Sequence, residues 1–192
     1  GLCCCPDEHR IDYVLCTIHD FFETKVTDPA LYVGLQIERD PGSRLIYIHQ
    51  RPYLKRIIHK YDFSDCSPIS TPADCNLALR SSDSTDSDSI SIFSFVNGVG
   101  NLQFASTGSR PDVTYSVSNV ARFKSRFTNA HCNAVKRIFW YLRSTVDTKL
   151  VYGGTTSSTI LTAHADADYA ADLDDRKSLS GYIVFLHGGP IS

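Results

Sequence analysis

The spacing of the apolar residues predicts five helices. Residues 8–23 carry apolar side chains at intervals of three and four, which places them on one face of an amphipathic helix. Pro111 suits the first turn of a fourth helix, and Thr128 or Asn129 can cap a fifth. The buried stripe of that fifth helix is predicted to be Val135, Ile138, Phe139, Leu142 and Val146. Between these lie two further candidate helices, at residues 52–61 and 91–106.

Alternating apolar positions predict strands near both ends of the chain. Residues 31–37 alternate with period two, residues 40–42 read Asp-Pro-Gly, and residues 45–49 form a second apolar run. This pattern is typical of a β-hairpin. Two further strands are predicted at residues 159–165 and 181–186. The Ser/Asp-rich stretch at residues 81–89 is predicted to be a solvated surface loop.

Composition and charge narrow the class of protein. The 192 residues are 42% hydrophobic, which is enough to bury a core. The net charge is −2, but residues 104–150 hold eight basic residues against two acidic ones, and residues 151–192 hold two against five. The local excess in residues 104–150 predicts a surface that binds a polyanion. The candidate contact residues are Arg110, Arg122, Lys124, Arg126, Lys136, Arg137, Trp140 and Arg143.

The fifth helix offers two interpretations of its polar face. Lys136, Trp140 and Arg143 are spaced so that two cations flank an aromatic ring, a surface that can follow a phosphate backbone and stack on a base. The same spacing fits an ordinary solvated face with Trp140 packed at its edge. The sequence leaves both open.

Five aspartates occupy the segment between the last two predicted strands: Asp166, Asp168, Asp172, Asp174 and Asp175. Carboxylates at the end of a strand are the usual ligands of Mg²⁺, which prefers oxygen. An acidic turn is the simpler alternative.

The rest of the composition bears on compartment and length. No apolar run approaches the length needed to cross a bilayer, so no membrane partner is expected. Seven cysteines without a repeated spacing argue against a disulfide framework and favour a reducing compartment. The chain contains no methionine, and we expect it to be a piece of a longer protein.

Six blocks of residues occur in an order that resembles one protein family. They are residues 31–50 (LYVGLQIERDPGSRLIYIHQ), residues 99–105, Ser109 to Val113, residues 131–145 (HCNAVKRIFWYLRST), Asp166 to Tyr169, and Arg176 to Tyr182. The chain resembles the C-terminal part of a copia-type retrotransposon reverse transcriptase, running from thumb and connection into ribonuclease H. The resemblance covers residues 7–192.

The resemblance implies an α+β fold in two parts. Residues 1–150 would form the reverse transcriptase part, with a β-hairpin and the helices of thumb and connection. Residues 151–192 would begin a ribonuclease H-like sheet and leave it incomplete. The parent activity implied is RNA-directed DNA synthesis with RNA cleavage. Its expected partners are an RNA/DNA hybrid or other nucleic acid and the rest of the polyprotein, and its expected location is a cytoplasmic virus-like particle or the nucleus.

The resemblance also implies which catalytic groups are present. Asp166 matches the first-strand carboxylate of the ribonuclease H site, with Asp168 as the less favoured substitute, so Asp166 would be one ligand of an incomplete Mg²⁺ site. No aromatic-x-Asp-Asp motif occurs, and the only glutamates, Glu8, Glu23 and Glu38, all precede Asp166. Tyr169 and Ala171 stand where the family has tryptophan and glycine.

We therefore expect a nucleic-acid-contacting chain that is catalytically silent by itself. The first alternative is a non-catalytic nucleic-acid or protein interaction module retained by the host. The second is an unrelated metal hydrolase that uses Asp166, Asp168 and Asp172.

Overall fold

The structure is a computed structural model of the 192-residue chain, and it contains both helices and antiparallel sheets. It describes residues 8–23, 30–74, 79–80, 92–154, 161–169, 172 and 174–191. The predicted α+β class is confirmed. The predicted loop at residues 81–89 lies outside the described residues.

The described helices follow the predicted stretches closely. The helices are α1 (Glu8–His19), α2 (Arg51–Lys60), α3 (Ile92–Gly108), a 3₁₀ turn (Pro111–Val113), α4 (Thr114–Ala121) and α5 (Asn129–Ser144). The strands are β1 (Leu31–Tyr32), β2 (Leu35–Asp40), β3 (Leu45–His49), β4 (Leu150–Gly153), β5 (Thr162–Asp168), β6 (Leu179–Leu186) and β7 (Gly189–Pro190).

The hydrophobic core lies among helices α2 to α5. Helix α5 begins at a capping box in which Thr128 and His131 satisfy each other's polar groups. Its predicted stripe is confirmed, because Val135, Ile138, Phe139 and Leu142 are all buried, and Val146 packs at the edge of the core. Their partners on the other helices are Leu54, Ile57, Phe95, Val99, Leu102, Val117 and Val120.

The first sheet is antiparallel, in the order β1-β2-β3-β4. The hairpin of β2 and β3 is confirmed, with Ile37 opposite Ile48. The predicted strand over residues 31–37 is wrong, because the chain turns at Val33 and Gly34 and β1 pairs back on β2. Both turn residues have positive φ, 50° and 80°, as a two-residue hairpin requires. Alternation alone could not reveal this turn, since it continues on both sides of it.

Strand β4 was not predicted. It pairs with β3, with Val151 opposite Tyr47, so the predicted boundary after residue 150 falls inside a strand of the first sheet. The second sheet has the order β5-β6-β7 and places Asp166 opposite Gly181. It joins the first sheet where the Gly153 amide donates to the His187 carbonyl oxygen (2.9 Å). All seven side chains of β5 are exposed.

Helix α1 forms where predicted, but its apolar stripe is not buried. Val14 is 40% exposed, Ile18 42% and Phe22 69%. The amphipathic pattern of this helix therefore does not place it in the buried core of the described residues. The core is formed instead by the apolar stripes of α2 to α5, which pack against one another.

A buried arginine joins the start of α4 to the end of α5. Arg110 is 0% exposed, and its Nε and Nη2 atoms donate to both carboxylate oxygens of Asp112 (3.0 and 2.7 Å). Its Nη1 and Nη2 atoms also donate to the carbonyl and hydroxyl oxygens of Thr145, the C-cap of α5 (2.9 and 2.6 Å). A cation at this end of a helix is favourable because the last carbonyls are left without partners inside the helix. We call Arg110, Asp112, Tyr141 and Thr145 the arginine junction.

Tyr141 completes the arginine junction. Its hydroxyl donates to Asp112 Oδ2 (2.8 Å), and the Arg110 guanidinium lies 5.5 Å from the centre of its ring. Burial opposes the ionisation of Asp112, but the hydrogen bonds from Arg110 and Tyr141 outweigh it and lower the pKa of that carboxyl. Asp112 is thus a carboxylate at neutral pH, as a bidentate pair with arginine requires.

The residues just before Arg110 link the arginine junction to α2. Ser109 donates through Oγ to Oε1 of Gln50, which precedes α2 and is fully buried (3.1 Å). A Cβ atom on Gly108 would lie 2.5 Å from the same oxygen, so glycine is needed for this close approach.

The arginine junction predicts a large stability loss on truncation. We expect Arg110→Ala to lower the free energy of unfolding of the 192-residue chain by about 3 kcal/mol, because it leaves Asp112 and the Thr145 carbonyl without their buried donor. Arg110→Lys should recover only part of this, since an ammonium cannot donate the bidentate pair. Urea denaturation measures both.

The exposed Arg126→Ala is the matched control and should change the free energy of unfolding by less than about 0.5 kcal/mol. Equal stability of Arg110→Ala and the parent chain would contradict the role given to the arginine junction.

Candidate nucleic-acid interface

The predicted contact residues occupy three places in the fold. Arg110 precedes the 3₁₀ turn, and four residues lie on α5. The other three lie in the turn between α4 and α5, and we call them the turn cations. The four α5 residues are Lys136, Arg137, Trp140 and Arg143, and the turn cations are Arg122, Lys124 and Arg126.

The structure excludes Arg110 from any such interface. Its side chain is fully buried, and its donors are already used by Asp112 and Thr145. The charge count could not anticipate this, because a buried arginine and an exposed one contribute the same charge.

Two of the α5 arginines hold another part of the chain. Arg143 donates from Nε to the Ser64 carbonyl oxygen and from Nη1 to the Cys66 carbonyl oxygen, both at 2.5 Å. Arg137 donates to Thr71 Oγ1 at 2.9 Å and lies 3.8 Å from an Asp74 carboxylate oxygen. These arginines therefore fasten the segment of residues 64–74, which has no helix or strand of its own, to the outside of α5.

Trp140 packs at the edge of the same segment. Its ring meets the Phe63 ring edge-on at 6.5 Å, and its side chain is half-buried. Of the two interpretations of this face, the geometry matches an aromatic ring packed at the edge of the helix. Lys136, also half-buried, is left as the remaining cation of that trio.

The turn cations keep more of their charge toward solvent. Arg126 is exposed, and Lys124 donates to Gln103 Oε1 (2.6 Å). Arg122 is 41% exposed and forms an ion pair with Asp172 Oδ2 (2.6 Å). Of the predicted contact residues, a polyanion can reach these three and Lys136 without displacing the segment of residues 64–74 from α5.

The predicted acidic residues do not converge. Asp166 and Asp168 share one face of β5, and both are exposed. Asp172 turns away toward Arg122 and accepts from the amides of Asp174 (2.8 Å) and Asp175 (3.5 Å).

Within the described ranges, no three His, Cys, Asp or Glu side chains lie close enough together to hold a metal ion. The described carboxylates around Asp166 therefore do not form a three-residue metal site by themselves.

A polar cluster on the first sheet was missed by the sequence reasoning. Buried His49 contacts Glu38 through Nε2 (2.8 Å), and its Nδ1 accepts from the Arg51 amide (3.2 Å). Hydrogen bonds from Lys149 and His49 lower the pKa of Glu38 to about 2. The three side chains come from β2, β3 and the residue before β4, so no local spacing could have indicated the cluster.

The exposed cations of α2 were also missed. They lie in residues 1–60, where eight basic residues are balanced by eight acidic ones, so division of the chain by net charge concealed them.

Comparison with known proteins identifies the family. The chain is 34% identical to the retrovirus-related Pol polyprotein from transposon TNT 1-94 of Nicotiana tabacum over 176 residues, which is 89% of this chain and 13% of that protein. It is 32% identical to the Pol polyprotein from transposon RE2 of Arabidopsis thaliana over 162 residues, 84% of this chain and 11% of that protein. The chain belongs to the retrotransposon Pol polyprotein family.

This result confirms the resemblance to copia-type polyproteins. The chain spans little more than a tenth of the length of these two polyproteins. It is also 33% identical to an uncharacterized mitochondrial protein of Arabidopsis thaliana over 171 residues, 86% of this chain and 66% of that protein. No family model and no solved structure matches.

No described helix of this Pol polyprotein chain has both the length and the apolar character needed to span a bilayer.

The tether formed by Arg143 predicts a local change in protection. We expect Arg143→Ala to speed amide hydrogen exchange in peptides covering residues 64–74, because both carbonyl contacts of the guanidinium are lost. Mass spectrometry reads the exchange. Lys136→Ala, two turns away on the same helix, is the control and should leave these peptides unchanged. Unchanged exchange in Arg143→Ala would contradict the tether.

Proposed function

We propose that this chain is the thumb and connection part of a reverse transcriptase together with the start of ribonuclease H, and that it contacts nucleic acid without supplying a complete catalytic centre. The observation that carries the proposal is the membership of the Pol polyprotein family over 84–89% of the chain. The local charge supports it, because residues 104–150 hold eight basic residues against two acidic ones.

The contact surface that we propose is smaller than the predicted one. It consists of the turn cations and Lys136. These residues belong neither to the arginine junction nor to the pair of arginines that holds residues 64–74 against α5. Such cations bind a duplex by displacing the counterions condensed on its phosphates, so the binding is independent of sequence and weakens with salt.

A second candidate function is an interaction module that persists without the rest of the polyprotein. It is favoured by one observation: the chain aligns with 66% of the length of the uncharacterized mitochondrial protein, so a similar sequence forms most of a much shorter protein. Both functions use the same nucleic-acid surface. They differ because the first serves a catalytic polyprotein, whereas the second needs no catalytic domain.

The proposed surface predicts salt-dependent binding to an RNA/DNA hybrid. We expect a plot of log affinity against log salt to be linear, and Lys124→Ala, Arg126→Ala and Lys136→Ala combined to reduce its slope by up to about 2.7, since each lost phosphate contact removes about 0.9. Fluorescence anisotropy with a labelled hybrid at four salt concentrations measures the slope. An unaltered slope in the triple variant would rule out this surface.

The second prediction concerns catalysis. We expect no hybrid cleavage and no primer extension by the chain with Mg²⁺ or Mn²⁺, because a two-metal reaction needs several converging carboxylates and the partners of Asp166 are missing. The assay is gel analysis of a labelled hybrid and a labelled primer. Cleavage that disappears in Asp166→Asn would contradict the proposal and favour the hydrolase.

A further inference from the structure

Helix α2 carries basic residues over most of the surface that faces solvent. Leu54, Ile57 and Ile58 form its buried face and pack in the core. At 100° per residue, the centre of the opposite side is occupied by Pro52 and four basic residues, with Arg51 at one margin and Tyr53 at the other. We call the basic residues the α2 face, and they are Arg51, Lys55, Arg56, His59 and Lys60.

The stability of the helix does not explain this arrangement. Arg51 and Lys55 are like charges four residues apart, and so are Arg56 and Lys60, and both pairs destabilise a helix. The first turn contains no acidic residue and instead carries Arg51, where the helix dipole disfavours a cation. Helix stability accounts for His59 and Lys60 in the last turn, where the helix dipole favours cations, but not for the rest of the arrangement.

The repulsion is only partly relieved inside the chain. Arg51 forms an ion pair with Asp147 (2.7 Å). Among the residues that the structure describes, no carboxylate pairs with Lys55, Arg56 or Lys60. These three side chains are exposed.

Aromatic rings hold two of these cations in place. Arg56 lies 5.3 Å from the centre of the Tyr53 ring, and Lys60 lies 5.3 Å from the centre of the Tyr61 ring. Both tyrosines are fixed by Asn101 of α3, which accepts from the Tyr53 hydroxyl at its backbone oxygen (3.0 Å) and donates from Nδ2 to the Tyr61 oxygen (2.9 Å). The two cations therefore lose little freedom when an anion binds them.

We propose that the α2 face is a second phosphate-binding surface for a nucleic-acid duplex, separate from the turn cations. Its charges extend along the ten residues of the helix, about 15 Å, and match a ligand with regularly repeated negative charge. The inference rests on the proposed function, because it names a further surface for the same class of partner.

The test removes three charges from the α2 face by Lys55→Ala, Arg56→Ala and Lys60→Ala. We expect the salt slope of hybrid binding to fall by up to about 2.7, so that the loss of affinity between about 50 and about 200 mM salt becomes about 40-fold smaller. The control removes three exposed charges elsewhere, by Arg10→Ala, Arg39→Ala and Lys177→Ala, and should retain the parent slope.

Thermal unfolding separates this effect from damage to the fold. Because alanine favours helix and the substitutions remove like-charge repulsion, the midpoint of the α2 variant should equal or exceed that of the parent chain. The parent chain supplies a second measurement, in which bound hybrid should protect Lys55 and Lys60 from acetylation while Lys177 stays reactive.

The outcomes distinguish this inference from the proposed function. No salt-dependent binding by the parent chain overturns both. Two results overturn only the α2 face, provided that the parent chain binds the hybrid. The first is a salt slope of the α2 variant equal to that of the control variant, and the second is that Lys55 and Lys60 stay unprotected. Protection of these lysines by poly-glutamate but not by the hybrid overturns the nucleic-acid assignment and gives the surface to an acidic polypeptide.

Discussion

The helical core depends on one buried cation. The guanidinium of Arg110 must be satisfied where it lies, and the groups that satisfy it belong to the turn before α4 and to the end of α5. These two helices are thereby fixed relative to each other, and their apolar stripes meet over the buried side chains of α2 and α3. Ser109, next in the chain, adds the link to α2 through Gln50. The Ser-Arg-Pro-Asp motif, which is part of the resemblance to the family, therefore has a structural role: it connects α2, α4 and α5.

The chain uses its basic residues in three physically different ways. Arg110 is buried and pairs with a carboxylate, Arg137 and Arg143 fasten an irregular segment to a helix, and the cations of α2 lie exposed on a repulsive face. The first two arrangements occupy the guanidinium donors, whereas the exposed cations of α2 and the turn cations leave charge available to a partner. Arginine suits the first two because its planar fork can donate to several oxygens at once, whereas two of the three exposed Lys and Arg residues on α2 are lysines. Net charge along the sequence cannot separate these uses, since burial and partners are set by contacts 35 to 79 residues away.

The sequence patterns predicted the elements that depend on residues close together in the chain. The α5 stripe and its cap follow from positions within one helix, and the hairpin of β2 and β3 follows from a turn between adjacent strands. The failures share a non-local cause. Strand β4 has four residues and pairs with a strand about 100 residues earlier, and α1 has the pattern of a packed helix although Val14 and Ile18 are exposed. Of the candidate interface, the turn cations could be predicted from composition, whereas the exclusion of Arg110 depends on a tertiary contact with Thr145.

The links between the two sheets have a consequence for any surface that spans them. Among the described residues, the second sheet, which carries Asp166, meets the rest of the chain through the hydrogen bonds of Gly153 with His187 and of Tyr152 with Pro190, the packing of the Tyr152 ring on buried Gly189, and the ion pair of Arg122 with Asp172. The Arg122 side chain is 41% exposed, so salt partly screens its ion pair with Asp172, and the exposed side chains of β5 add no apolar burial. Arg122 also belongs to the turn cations, so a bound phosphate competes with Asp172 for the same guanidinium. Under the proposed function, contact of a polyanion with Arg122 would therefore weaken one of the contacts between the acidic sheet and the rest of the chain.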